Sequence, residues 1–369
     1  MVLNEPSICL ICDKEAFKWI PLIINEWKIK YLFCNDEKLK NCFIDTFGLF
    51  DAQTNTTNDI FNYLDHLNPE NVDLLFLALS TNVFHELVIE HIIKQKKFFY
   101  VFSSNLPTLN IQKLENFRIL LNNFNTTTDI IYDVKEEFKN NNKQFYWNIF
   151  NPLLNERVFY TLKSVLNEIG YIYGVQIEST FIPFFVENEE VKNILFYRAV
   201  LIISLIEFLF EKSKYVLAKC YSIKNENALI NCISGNVIFD SLNCNFNIST
   251  NSPNKIFVLK IYGENGFINV SYNKEHSCFQ LQRCLNHYEY PSLFIGDSQQ
   301  SVLNELKYFI EEKLYTNKYV NNYIDSMHVS LCLWKSEGAN ISLENEKSNY
   351  ANENNNDKKI VIENKCVAA

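Results

Sequence analysis

Three consecutive pieces of sequence decide the fold: Ser7–Cys12 (SICLIC), the turn Asp13-Lys14-Glu15-Ala16, and Ile29–Cys34 (IKYLFC). SICLIC is a continuous apolar run, the pattern of a strand buried on both faces. A helix is expected after it, and Ile29–Cys34 closes a β–α–β unit. A dinucleotide-binding unit of this kind carries G-x-G-x-x-G at the turn. One glycine bends the chain, one lets the backbone reach the pyrophosphate, and one permits close helix packing. Aligned without gaps, Ile11 and Asp13 take the first two glycine positions, and only Ala16 suits the third. Gly48 is the single glycine of the first 169 residues. Asp13 would turn a carboxylate toward phosphates that want backbone N–H groups and a helix N-terminus. The scaffold is expected to be present and its phosphate clamp absent.

The chain has 369 residues, 47% of them hydrophobic, enough for two domains with substantial cores. A net charge of −9 opposes nucleic acid as a partner, because phosphate binding wants a basic face. Eleven cysteines, odd in number and scattered, suggest no disulfide framework and favour a reducing, cytoplasmic setting. Cys9 and Cys12 form a C-x-x-C, but no second pair completes a zinc site. On a strand, residues three apart also point to opposite faces, so two packed thiols are expected. No basic segment precedes the first strand, so no signal peptide is expected. Ile194–Phe210 is long and apolar, yet short for a membrane span and interrupted by Arg198 and Glu207. It is expected as a buried helix of a soluble domain.

Short apolar runs alternate with amphipathic segments through the first third. Helices are expected near Glu37–Phe47, Thr57–Leu64, Phe84–Lys94 and Ile111–Leu121, with strands at Val72–Leu77 and Phe98–Phe102. This is the pattern of a parallel, doubly wound sheet. Asn122–Asn142 is polar and Asn-rich, an expected insertion. From Phe145 onward the segments lengthen and alternate, with hairpin turns expected at Gly263–Gly266 and Ser234-Gly235-Asn236. A mostly antiparallel sheet with helices on one face follows, ended by helices at Val302–Glu312 and Val320–Trp334 and a closing strand. The expected division is a Rossmann-like domain over 1–121, an insertion over 122–143, an α+β domain over 144–343 and a disordered tail over 344–369.

Several words in this order resemble the Gfo/Idh/MocA oxidoreductase family, and within it most closely the metazoan glucose–fructose oxidoreductase domain-containing proteins. Val72-Asp73-Leu74-Leu75 followed by Ser80-Thr81-Asn82-Val83-Phe84-His85 sits on V-D-x-V…T-P-N-x-x-H. Ile169-Gly170-Tyr171-Ile172 with Val175-Gln176-Ile177 matches L-G-x-I…V, and Ile261–Gly266 matches I-Y-G-x-x-G. The final helix and Gly338–Leu343 complete a likeness over about residues 6–343. The resemblance implies NAD or NADP binding in the parallel domain and a sheet face used for substrate or dimerisation. It also shows losses. The lysine of E-K-P falls on Phe102-Ser103-Ser104, so a hydroxyl replaces a cation. The glycine-rich signature with the proton-transfer histidine falls on Val191–Ser204, where Leu201 takes the histidine's place. Leu201 cannot exchange a proton at any pH.

Hydride transfer from an alcohol needs a base within reach of the hydroxyl and a cofactor to take the hydride. With base, lysine and phosphate loop gone together, a non-catalytic pseudo-oxidoreductase is expected, with at most weak NAD(P) binding and a scaffold or interaction role. The alternative is an active NAD(P)-dependent oxidoreductase on a sugar-like or polyol substrate, with Tyr197 or His85 as a new base. No catalytic residue is assigned from the sequence. The candidate cofactor contacts are Asn35, Ser80, Thr81, Asn82, His85 and Ser103, although Asn and Ser at such positions also serve as caps. His85-Glu86 with His91 lacks metalloprotease spacing, and no metal site is expected. A homodimer through the C-terminal sheet is expected. Phe181, Phe184, Val237, Phe239, Phe246, Phe257 and Leu259 supply large apolar residues on both alternations, so an apolar patch should remain on the open face. Cys366-Val367-Ala368-Ala369 fits a prenylation pattern, a chance terminal cysteine being the alternative; a membrane is a partner only if Cys366 is lipidated.

Overall fold

The computed structural model describes residues 6–34, 36–54, 59–68, 71–80, 83–95, 100–110, 112–120, 146–181, 188–225, 228–240, 242–250, 256–273, 278–294, 298–311 and 318–343. It divides into two compact units, Met1–Asn155 with Gln299–Ile324, and Glu156–Ser298 with Asp325–Ala369.

In the first unit the expected strands form a parallel sheet. They are β1 (Ser7–Cys12), β2 (Lys28–Cys34), β3 (Gln53–Thr54), β4 (Leu74–Ala78), β5 (Tyr100–Ser103) and β6 (Tyr146–Ile149), in the order β3-β2-β1-β4-β5-β6. Between them run α1 (Ile20–Ile23), α2 (Glu37–Phe47), α3 (Ile60–His66), α4 (Val83–Gln95) and α5 (112–120). The helices start where the chemistry allows. Asp36 caps α2 by accepting from the backbone of Lys38 and Leu39, and Asp59 caps α3 in the same way. β1 and β4 are apolar throughout because both faces are covered, which is why they read as unbroken runs. One layer of the core is built on Trp19, fully buried and edge-on to Phe76, Phe102 and Phe150 at 5.2, 5.7 and 5.0 Å.

The second unit opens with α6 (Arg157–Val165) and β7 (Ile172–Phe181), followed by α7 (Asn188–Phe210). Then come β8 (Tyr215–Asn225), β9 (Ala228–Ile238), β10 (Asn243–Thr250), β11 (Ile256–Gly263), β12 (Gly266–Asn273), β13 (Cys278–Leu285) and β14 (Tyr288–Phe294). After α8 (Ser298–Glu311) and α9 (Lys318–Lys335), β15 (Ile341–Ser342) pairs with β8. The nine strands run β14-β13-β12-β11-β7-β10-β9-β8-β15, antiparallel except for β10 against β7. Helix α7 packs on β9 and β10, and α6 on β13. Among the described residues no helix is long and apolar enough to cross a membrane. The expected buried helix at Ile194–Phe210 is the body of α7, and Ala199–Ile203 is buried around its whole circumference.

The structure departs from expectation at four places. The strand after Phe145 does not open the second sheet; β6 pairs in parallel with β5 and completes the first. Helix α8 returns to the first unit, where Val302, Leu303 and Leu306 enter the core around Trp19. Ser234-Gly235-Asn236 is not a turn but the middle of β9, with Gly235 opposite Ala218 on β8. A side chain at Gly235 would put its Cβ 2.2 Å from the Leu217 carbonyl oxygen, so the glycine serves close backbone approach. The fourth departure is the open face of the large sheet, which is mixed, carrying half-buried Val258, Tyr262 and Phe267 among polar residues. Phe246, Phe257, Leu259 and Val237 are buried on the helix-covered side, and Phe239 is buried beyond the end of β9. The Phe181 side chain and Phe184 lie outside the described residues. In their place the open face presents Gln176, Glu178, Asn245, Asn247, Lys260 and Asn269, aligned by the register of β10, β7, β11 and β12. The hairpin at Gly263–Gly266 stands as expected, Gly266 having φ +149°.

Gly235→Ala should therefore destabilise the chain by about 2 kcal/mol, as overpacking against a fixed backbone does. Gly174→Ala, whose Cβ would meet Tyr262 at an ordinary 3.7 Å, should be close to neutral by comparison. Denaturant unfolding of the two variants beside the parent checks the contrast.

Candidate functional site

The strand order reverses its direction of growth between β1 and β4, and open sheets of this type bind ligands just beyond the carboxyl ends at that point. Here β1 ends in Cys12-Asp13 and β4 in Ala78-Leu79-Ser80. Asp13 spans the gap. Its N–H donates to the Ala78 carbonyl at 3.1 Å, and its carboxylate accepts from the Glu15 N–H at 2.8 Å and the Ser80 N–H at 2.9 Å. Two backbone donors at the switch point, one from each side, are thus held by an anion of the chain itself. Sequence placed Asp13 as a charge opposing phosphate; the structure adds that it occupies backbone donors.

The turn after β1 departs from the expected helix as well. A 3-10 turn over Lys14–Lys18 is followed by the single turn α1, with Pro21 near its start. Such short pieces sum few peptide dipoles, so little positive potential is aimed at the crevice. Trp19 lies between the two pieces and fills the space beneath them.

The candidate cofactor contacts are distributed as follows. Ser80 is half-buried and gives its N–H to Asp13. His85, in the first turn of α4, is fully buried; burial pushes its pKa down to about 3, with a hydrogen bond to the Ser80 backbone opposing the shift. Ser80 and His85 are therefore neighbours, and burial favours the neutral imidazole. Ser103 is fully buried at the end of β5, where its Oγ accepts from the Trp147 indole N–H at 2.9 Å. Its hydroxyl is thus engaged within the core, and Ser104 beside it is also buried. Asn35, Thr81, Asn82 and Cys366 lie outside the described residues.

In the second unit Tyr197 and Arg198 lie on α7, half-buried, with burial lowering the guanidinium's pKa and Tyr197 opposing that. Leu201 is fully buried, as are Val200 and Ile203. Among the described residues, no group of three or more His, Cys, Asp or Glu side chains could hold a metal ion.

The cysteines of the first sheet separate by layer, as the strand period requires. Cys9 hydrogen-bonds Tyr63 and is pushed up to about 12 by burial. Cys12 faces the other layer, and there it meets a partner that sequence reasoning missed. Cys34 is its register neighbour on β2, and the two thiols shift one another's pKa. The available signal was that both residues end the strands of the same β–α–β unit.

No protein-family model matches the chain, and no curated protein matches it in sequence. Solved structures do match in fold. Biliverdin reductase from Synechocystis, solved with biliverdin and NADP+, aligns over 90% of this chain and 99% of its own, at TM-score 0.64 and 14% identity. A putative NADPH-dependent oxidoreductase from Desulfitobacterium hafniense aligns over 93% and 99%, at 0.71 and 12%. The transcriptional regulator Gal80p from Kluyveromyces lactis aligns over 93% and 96%, at 0.70 and 12%. At such identities the likeness is one of fold: a Rossmann-like parallel sheet joined to a large, mostly antiparallel one.

Neutral burial of His85 has a pH signature. The unfolded chain takes up a proton at the ordinary value of 6.5, while the folded chain resists until about pH 3. The stabilising contribution is complete above pH 6.5 and is lost as pH falls through that window, at a limiting slope of about 1.4 kcal/mol per pH unit. His85→Leu should flatten this part of the acid limb relative to the parent. Denaturant unfolding at intervals between pH 7 and 4 provides the comparison.

Proposed function

We propose that this chain is a Gfo/Idh/MocA-like pseudo-oxidoreductase, non-catalytic, with at most weak NAD(P) binding and a scaffold or interaction role. The Asp13 carboxylate carries this proposal. A phosphate oxygen brought to about 4 Å from it would be repelled by roughly 4 kcal/mol near a protein surface, equivalent to about a thousandfold in affinity. The family is supported by the motif order quoted above and by the shared fold, and the nearness to metazoan glucose–fructose oxidoreductase domain-containing proteins by those motifs alone. The fold does not by itself imply catalysis, since a transcriptional regulator shares it with oxidoreductases. A cytoplasmic setting is supported by cysteines that form no disulfide among the described residues.

Calorimetric titration with NAD+, NADP+ and their reduced forms tests the proposal. Dissociation constants no tighter than roughly the high-micromolar range are expected, with Asp13→Gly binding more tightly than the parent. Cofactor retained through purification, or low-micromolar affinity in the parent, would overturn it. No hydride transfer is expected with sugars, inositols or their oxidised forms. Turnover abolished by substituting Tyr197 or His85 would instead establish an active enzyme with a rewired site.

The proposal includes a two-fold homodimer through the open face of the large sheet. Because that face is mixed, the contact would combine Tyr262 and Phe267 with hydrogen bonds and charge pairs, exposed Glu178 and Lys260 being placed to pair across a two-fold axis. Sedimentation equilibrium should show a dimer at micromolar concentration that weakens with salt. A monomer under low-salt conditions would remove the dimer.

A further inference from the structure

We propose that Cys12 and Cys34 form a reversible oxidation site, closing to a disulfide that ties the carboxyl ends of β1 and β2 together. The two residues are register partners on adjacent parallel strands. Neighbouring strands lie about 4.8 Å apart, inside the Cα separation of roughly 4.4–6.8 Å that a disulfide accepts. Both side chains enter the same core layer, the one containing Trp19 and Phe43, so their Cβ atoms point to the same side of the sheet. The two thiols are close enough to shift one another's pKa, and the Cys12 thiol donates to the Phe33 carbonyl oxygen at 3.4 Å. Closing the bond therefore asks for side-chain rotation and no shift of register.

The two sulfurs are chemically unequal, as a reacting pair requires. Cys12 is 1% exposed, and burial first, then Cys34, raises its pKa. Cys34 is 9% exposed, and the neighbouring Cys12 thiol lowers its pKa against the opposing effect of burial. Cys34 is thus the attacking thiolate and Cys12 the resolving thiol. With a small-molecule disulfide as oxidant, the Cys34 thiolate attacks one sulfur, the S–S bond breaks, and one small thiolate leaves. Cys12 then loses its proton and attacks Cys34 Sγ, expelling the second thiolate. Two protein thiols are oxidised by two electrons, and one disulfide is reduced to two thiols that carry both protons away. The bond would join the residues just before Asp13, which holds the switch-point donors, and just before the loop to Asp36, which caps α2. Oxidation would stiffen both connections, whether or not a nucleotide binds nearby.

The test treats the full chain with oxidised glutathione, alkylates the remaining thiols and maps the peptides, with fragment spectra separating Cys12 from Cys9. Exposed Cys42 reports that the oxidant has acted. A Cys12–Cys34 linked peptide, lighter by two hydrogens and restored by dithiothreitol, is expected. In Cys12→Ser, glutathione should remain on Cys34; in Cys34→Ser, Cys12 should stay a free thiol. Finding Cys12 and Cys34 both unoxidised once Cys42 has reacted, or linked only in denaturant, would overturn the proposal. The measurement on the parent chain stands even if a serine variant fails to fold.

Discussion

At the switch point of a parallel sheet, backbone N–H groups converge with no strand to accept them, and Asp13 answers that constraint here. Buried or half-buried donors left unpaired would each cost about 1–3 kcal/mol. A glycine-rich loop leaves such donors for a ligand phosphate. An aspartate with both oxygens engaged, one on Glu15 and one on Ser80, removes the need for a ligand. The rest of the region follows from that substitution. The chain after Asp13 winds into a 3-10 turn and a single α-turn around Trp19, whose ring completes the core against Phe76, Phe102 and Phe150.

Much of the architecture was legible because burial leaves a simple record. Strands covered on both sides read as near-continuous apolar runs, so β1, β4 and β5 could be placed from composition, and β2 by its apolar Tyr31–Cys34 end. Segments half-covered read as alternation, and the large sheet could be recognised as antiparallel. What sequence could not settle was which partner each segment would choose. Residues Tyr146–Ile149 read equally well as the first strand of either sheet, and only pairing with β5 decides. Val302, Leu303 and Leu306 make an apolar stripe that either core could bury. Gly235 shows the same ambiguity on a smaller scale, because a glycine in a polar triplet suits both a turn and a close crossing of two backbones.

The large apolar residues expected on the open face turn to the covered one for a related reason. Each strand restarts the phase of its alternation after a loop, so aromatic residues that seem to fall on both alternations can all reach one face. Phe246, Phe257 and Leu259 do so once β10 and β11 are aligned through β7. The Cys12–Cys34 pair was equally invisible, since the two residues are twenty-two positions apart and only parallel register brings them together. Asp13 was the part of the candidate site that sequence anticipated best, because its sign is wrong for phosphate in any geometry.

The positions where the family resemblance expects functional groups are informative for what the structure places there. Where the family resemblance puts a lysine, Ser103 is buried with its hydroxyl accepting from Trp147. Where it puts a histidine, Leu201 sits in a helix segment buried on every side. Where it puts glycines and a phosphate, Asp13 closes its own hydrogen bonds. At Ser103 and Asp13 the polar group is satisfied within the protein, and at Leu201 the side chain is apolar. Restoring a histidine at Leu201 would place a titratable ring in an apolar interior, where burial favours the neutral form, as it does for His85. Restoring a lysine at Ser103 would bury a cation and strand the Trp147 indole. The three positions are therefore committed by packing and hydrogen bonding, and a single reversion at any of them meets a structural cost before it reaches chemistry.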